Sequence, residues 1–124
     1  MTKSDLKKRT KTFALRIIKL VGALPNNTVG HVIGKQLIRC GTSVGANYRS
    51  ACRARSHADF ISKLGIVLEE ADESEFWLEL IIEGKVMKEN LVESLLKESG
   101  ELVAIFSTSL CSSKSKPSNR SLTS

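Results

Sequence analysis

Aromatic residues are scarce in this chain: Phe, Trp and Tyr make up only 5% of it, although 41% is apolar. Proline is scarcer still, with Pro25 early and Pro117 in the tail. A β-sheet draws on aromatic and β-branched side chains, so this composition favours helices. Long hydrophobic runs are missing too. No stretch of about 18 apolar residues occurs, and the basic N-terminus leads into an amphipathic segment rather than a signal core with a cleavage site. The chain is therefore expected in the cytoplasm, with no membrane partner. Cys40, Cys52 and Cys111 are odd in number and show no CxxC spacing. They point away from a disulfide framework or zinc site and toward free, buried thiols.

What is present is one domain's worth of chain, 124 residues, with a net charge of +6 that conceals a strong polarity. Residues 1 to 55 carry twelve Lys or Arg against one acid, and residues 56 to 112 carry four against twelve. Lys114, Lys116 and Arg120 make the tail basic again. Such a split predicts either a basic surface for polyanions or oppositely charged surfaces that meet within or between subunits.

Four amphipathic segments are legible, at about 4–24, 28–55, 57–84 and 89–111. Leu6, Phe13, Ile17, Leu20, Val21 and Leu24 share one face of the first, which Ser4 or Asp5 could cap and Pro25-Asn26-Asn27 stops. Thr28 could cap the second. Its Gly30, Gly34, Gly41 and Gly45 fall within about 60° of one another at the helical period. Glycine costs up to about 1 kcal/mol per interior helical site relative to alanine, so such a stripe predicts a groove for a neighbouring helix. A phosphate loop would need a strand, a tight turn and a Lys-Ser/Thr ending, none of which is present. Ser56 with Asp59 three residues on is an Asp variant of the capping box and opens the third segment. That segment is apolar on two sides: Phe60, Leu64, Val67, Leu68, Ala71, Leu78 and Ile82 on one, and Ile66, Phe76, Trp77, Leu80 and Ile81 on much of the other. Self-association through the second set is the natural expectation. Leu91, Leu95, Leu102, Ile105 and Phe106 line the fourth segment. Residues 113–124 are Ser-rich, basic and almost free of apolar side chains, and are expected to be disordered. Short links between the helices predict an all-α, antiparallel up-down four-helix bundle over residues 1–112.

Catalytic material is thin. His31 and His57 stand alone, Ser43 and Ser50 lack a GxSxG elbow, and no Glu-x-x-His pair accompanies the acidic run from Glu69 to Glu83. Neither an enzyme nor a bound metal or cofactor is expected. Glu75 falls at the edge of the Phe60 face, where a buried carboxylate would need a cation, and an arginine of the second helix is the expected supplier. On that helix Lys35, Arg39, Arg49 and Arg53 project within about 80° of each other. This rail, with Lys7, Lys8 and Lys11 of the first helix, could be an ordinary solvated face or a contact for a phosphate backbone. No RNA-recognition sequence or aromatic platform is present, so such a contact would be largely insensitive to base sequence.

"TSVGANYRSACRARSHADFISKLGIVLEEADESEFWLELI", residues 42–81, closely resembles the signature of the 23S rRNA-intervening sequence protein family. "FALRIIKLVGALP" and "GKQLIRCGTS" are similar to that family's first helix and its approach to the second. Where many relatives carry Ala-Asn-Ile-Ala-Glu-Gly, this chain has Ala46-Asn47-Tyr48-Arg49-Ser50-Ala51, which makes its second helix more basic. The resemblance implies an all-α bundle, assembly as a homopentameric ring, and no catalytic residues to carry over. It also extends to the accessory variability proteins of diversity-generating retroelements, which implies an adaptor bound to a reverse transcriptase as an alternative to direct binding of RNA or DNA.

Overall fold

The computed structural model describes residues 1–116. Four helices run in order: α1 (Lys3–Gly22), α2 (Thr28–Cys52), α3 (His57–Glu83) and α4 (Glu93–Lys114), with a short 3-10 turn at Glu89–Leu91 before the last. No strand occurs among the described residues.

Side-chain oxygens that take up otherwise unpaired N–H groups set the helix starts. Thr2, rather than Ser4 or Asp5, caps α1: its hydroxyl accepts from the Asp5 N–H while Asp5 accepts from the Thr2 N–H, a reciprocal box. Asn27, one residue before the expected Thr28, caps α2 by accepting from the Gly30 N–H at 2.9 Å. Ser56 caps α3 as its sequence predicts, accepting from the Asp59 N–H. At the other ends, α2 stops at Cys52 rather than near Arg55. That leaves Arg53 and Arg55 on the turn into α3. α4 continues through Ser112, Ser113 and Lys114, where a tail is expected from 113. The rest of that expected tail lies outside the described residues.

Contacts across each seam fix the direction of the helices. Gly34 of α2 meets Val21 and Leu24 of α1, while Gly45 meets Thr10. Arg39 reaches Glu70 and Glu73 of α3, whereas Arg49 and Arg53 share a cleft with Asp59 and Lys63. His57 bonds to the Ser113 carbonyl, and Glu75 lies against Gly100. Arg16 meets Ser94, and Arg9 meets Glu98 and Glu101. Numbers rise on one helix as they fall on the next in every case, so neighbours are antiparallel and the chain runs up and down.

Inside, Phe13, Ile17, Leu37, Val44, Leu64, Val67, Leu78, Leu102 and Phe106 are fully enclosed, each contributing on the order of 1.5–3 kcal/mol through burial. Thr10, Ser74 and Ser99 are also enclosed, and each hydroxyl donates to a carbonyl of its own helix, to Leu6, Glu70 and Leu96 respectively. They therefore carry no unpaired polar group into the core. Ile81 corrects a sequence expectation: it is 0% exposed and belongs to the core, not to an interface between copies. It lies one turn beyond Leu78, on the same inward side.

The glycine stripe does what its spacing predicts. A methyl group at Gly41 would stand 2.8 Å from Ile17, and one at Gly30 would land on the Pro25 carbonyl oxygen. At the end of α3, Lys85 adopts a left-handed backbone (φ 54). The Val86 N–H reaches the Ile81 carbonyl and the Lys85 N–H reaches that of Ile82, a Schellman closure with lysine where glycine is usual.

Three substitutions separate these effects in thermal or chemical unfolding. Gly41→Ala is expected to destabilise by about 1–3 kcal/mol through overpacking. Gly65→Ala, where the added methyl meets nothing, is expected to stabilise by up to about 1 kcal/mol. Lys85→Gly is expected to gain roughly 1 kcal/mol by relieving the left-handed residue. A neutral Gly41→Ala would show that α1 and α2 can move apart freely.

Candidate nucleic-acid interface

Arginines at the bundle's seams are consumed by carboxylates. Arg9 on α1 grips Glu98 of α4 with a two-pronged contact, Nε and Nη2 at 2.7 and 2.8 Å, and reaches Glu101 at 2.7 Å. The carboxylates hold its guanidinium charged, well above the ordinary arginine value. Arg39 on α2 turns toward α3, where it pairs with Glu73 and, at 3.3 Å, with Glu70. Glu73 also accepts from the Trp77 indole, and the hydrogen bond from Arg39 pulls its carboxyl below the usual range. Arg39 therefore leaves the rail projected for it. Its position lies on the α3 flank of α2, and the acids of α3 are within reach.

The remaining candidates stay on the outside. Lys7, Lys8 and Lys11 of α1, Lys35 and Arg49 of α2, and Arg53 just past the end of α2 are exposed, and none has an ion-pair partner among the described residues. The register set by the Thr10–Gly45 and Val21–Gly34 contacts brings Lys7 level with the turn of α2 that carries Arg49. Leu15, Ile18 and Ile38 are exposed on the same two helices.

At the α2–α3 corner an open cleft of about 740 Å³ is lined by Ala46, Arg49, Ser50, Arg53, Arg55, Asp59 and Lys63. Its one carboxylate is already engaged: Asp59 accepts from Lys63 at 3.1 Å and from the Arg55 backbone N–H. Lys63 and Arg55 together hold it below the ordinary aspartate range. Arg55 and Lys63 are absent from the sequence-based candidates. The signal for Arg55 was the Arg-Ala-Arg run at the end of α2, which reads as helix until the chain is seen to turn at Cys52.

Of the candidate interface residues on α3, Ile66 and Phe76 are exposed, 43% and 51%, while Trp77 and Leu80 are half-buried. Phe76 packs edge-to-face on Trp77 at 5.4 Å. Glu75 corrects another expectation. It faces α4, not α2, with its carboxylate over Gly100, and no arginine among the described residues pairs with it. Burial, followed by the nearby Glu79 and Asp72 charges, pushes its pKa up. Of the cysteines, Cys40 is buried, Cys52 intermediate and Cys111 exposed, so only the first is the buried thiol expected of all three. Among the described residues no three His, Cys, Asp or Glu side chains converge to hold a metal ion, and no helix is long and apolar enough to cross a membrane.

These features define an all-α, four-helix protein with a cation-rich α1–α2 side. The chain belongs to the 23S rRNA-intervening sequence protein family, whose family model matches residues 2–108. Among solved structures it is similar to a protein of unknown function from the S23 ribosomal protein family of Bacteroides thetaiotaomicron. The two share 40% identity and a TM-score of 0.81, over 89% of this chain and 98% of that one. Among curated proteins, none matches.

Because the folded state favours the protonated form of Glu75, its ionisation removes stability as pH rises past its unfolded value. Glu75→Gln is therefore expected to melt at a higher temperature than the native chain at about pH 7–8, with the gap closing below about pH 4, where both are neutral. Thermal melts across pH check this. A variant less stable than the native chain at neutral pH would mean that the carboxylate has a cationic partner. Glu73 has the opposite sign: its contribution is present above its unfolded value and is lost as pH falls through the folded one.

Proposed function

We propose that this protein is a non-enzymatic, self-associating helical bundle that binds RNA or DNA through the cations of its α1–α2 side, without strong base specificity. The supporting observation is the partition of charge. Arg9 and Arg39 are neutralised at the seams, while Lys7, Lys8, Lys11, Lys35, Arg49 and Arg53 are left outside with no ion-pair partner among the described residues. Like charges held together repel and are relieved by a polyanion, whose condensed counterions are released on binding. No stacking platform accompanies them: the exposed aromatic, Phe76, lies on α3. That favours backbone contact over base readout.

Self-association rests on Ile66 and Phe76, which stand exposed along α3 with Trp77 and Leu80 half-covered beside them. A second copy is the proposed cover, and a pentameric ring is the form that the family resemblance implies. Phe76→Glu is expected to lower the assembled mass in light scattering without unfolding the bundle. A monomeric native chain at micromolar concentration would defeat the assembly reading.

Fluorescence anisotropy with structured RNA and duplex DNA across a salt series tests the interface. If about five phosphates are contacted, each doubling of salt should weaken binding roughly twentyfold. Charge reversal of Lys7, Lys11, Lys35 and Arg49 should abolish binding. Arg39→Gln should leave the salt slope unchanged, because that side chain is already paired. Absence of binding at low salt, in a folded protein, would favour the second reading: an adaptor whose basic side meets an acidic protein surface, such as that of a reverse transcriptase or another nucleic-acid enzyme.

A further inference from the structure

The arginines among the described residues divide into two groups by what they touch. Arg9, Arg16 and Arg39 each donate to a side chain on a neighbouring helix. The guanidinium groups of Arg49, Arg53 and Arg55 donate to none among the described residues, and all three residues line one cleft at the α2–α3 corner. Ala46 and Ser50, one turn back from Arg49 and Arg53, are small and leave the cleft open, and Ser50 adds a hydroxyl. Asp59 is paired with Lys63 and also accepts from the Arg55 backbone N–H, both through Oδ2, and no arginine side chain among the described residues donates to it. The start of α3, capped at Ser56, adds the partial positive charge of a helix N-terminus beside the cleft.

We infer that this cleft is a phosphate-binding subsite, in which the guanidinium forks of Arg49, Arg53 and Arg55 hold one phosphate group while the lysines of α1 supply only diffuse attraction. A carboxylate is the poorer fit. Its two coplanar oxygens are satisfied by one fork, as Glu98 on Arg9 shows in this same chain. A tetrahedral phosphate offers acceptors in several directions and can take several forks at once. The phosphate can come from a nucleic-acid strand, in which case the inference rests on the nucleic-acid reading above, or from a free polyphosphate.

A charge-preserving variant separates this subsite from the general basic surface. Arg49→Lys, Arg53→Lys and Arg55→Lys together keep the net charge but remove the forks, and Ala46→Trp fills the cleft without touching an arginine. All four positions are exposed, and circular dichroism confirms that each variant is folded. RNA binding is read by anisotropy, and inorganic pyrophosphate binding by competition against RNA and by thermal shift. The expected result is at least tenfold weaker RNA binding in both variants, with pyrophosphate competing against RNA and raising the melting temperature only in the native protein. If the native protein binds no RNA but is stabilised by pyrophosphate, and the variants are not, the subsite stands, its source is free phosphate, and the nucleic-acid reading fails. RNA binding equal in native and triple-lysine proteins, without a pyrophosphate effect, overturns the subsite and leaves the general basic surface intact. No response to either probe overturns both.

Discussion

The close approach of α1 and α2 is the constraint on which the rest of the bundle depends. Gly34, Gly41 and Gly45 remove the side chains that would otherwise hold the helices apart, and Val21, Ile17 and Thr10 settle into the space. Four glycines in one helix weaken it locally by a few kcal/mol in all, so α2 persists because tertiary packing compensates. Gly30 extends the same logic to the link, where Pro25 lies against the first turn of α2. With the two helices this near, their outward sides form one continuous surface, and the lysines of one come level with the arginines of the other.

Electrostatics then sorts the cations. At the α1–α4 and α2–α3 seams an acid is within reach, and Arg9 and Arg39 take it. The α1–α2 side has no such neighbours: the only acid in residues 1–55 is Asp5, and it is occupied by the cap of its own helix. Surface ion pairs are worth little individually, about 0–1 kcal/mol. Their larger effect here is on what stays unpaired, which is a contiguous field of one sign. At the α2–α3 corner that field becomes most concentrated, since the chain leaves the helix with two arginines on the turn.

Much of this was legible beforehand. Helix count, order and inward faces followed from apolar periodicity, because Phe13, Ile17, Leu64, Leu78 and Phe106 recur at helical spacing. The glycine stripe announced a neighbour for the same reason. What was not legible depended on which neighbour lay on which flank. A projection shows that Arg39 shares a side with Lys35 and Arg53, but not that α3 brings two acids to that side. It likewise placed Glu75 near the core without saying whether α2 or α4 would cover it. Ile81 was misjudged because α3 carries apolar residues nearly all round, so no single stripe marks its interior. The cleft escaped for another reason. It is made by a turn, and Arg55 looked like one more residue of a long helix until the helix ended three residues earlier.

The α1–α4 seam is held differently from the other three. The outer helices touch least of the packed pairs, and their polar ties are the Arg9 clamp and the Arg16–Ser94 bond. A four-helix ring closed this lightly on one side behaves as a sheet of helices rolled almost shut. Amide exchange should therefore not be uniform around the bundle. Backbone protons along the facing sides of α1 and α4 would escape through a partial opening of that seam, well below the free energy of global unfolding. Those of α2 and α3, enclosed by neighbours on both flanks, would wait for the whole structure to come apart.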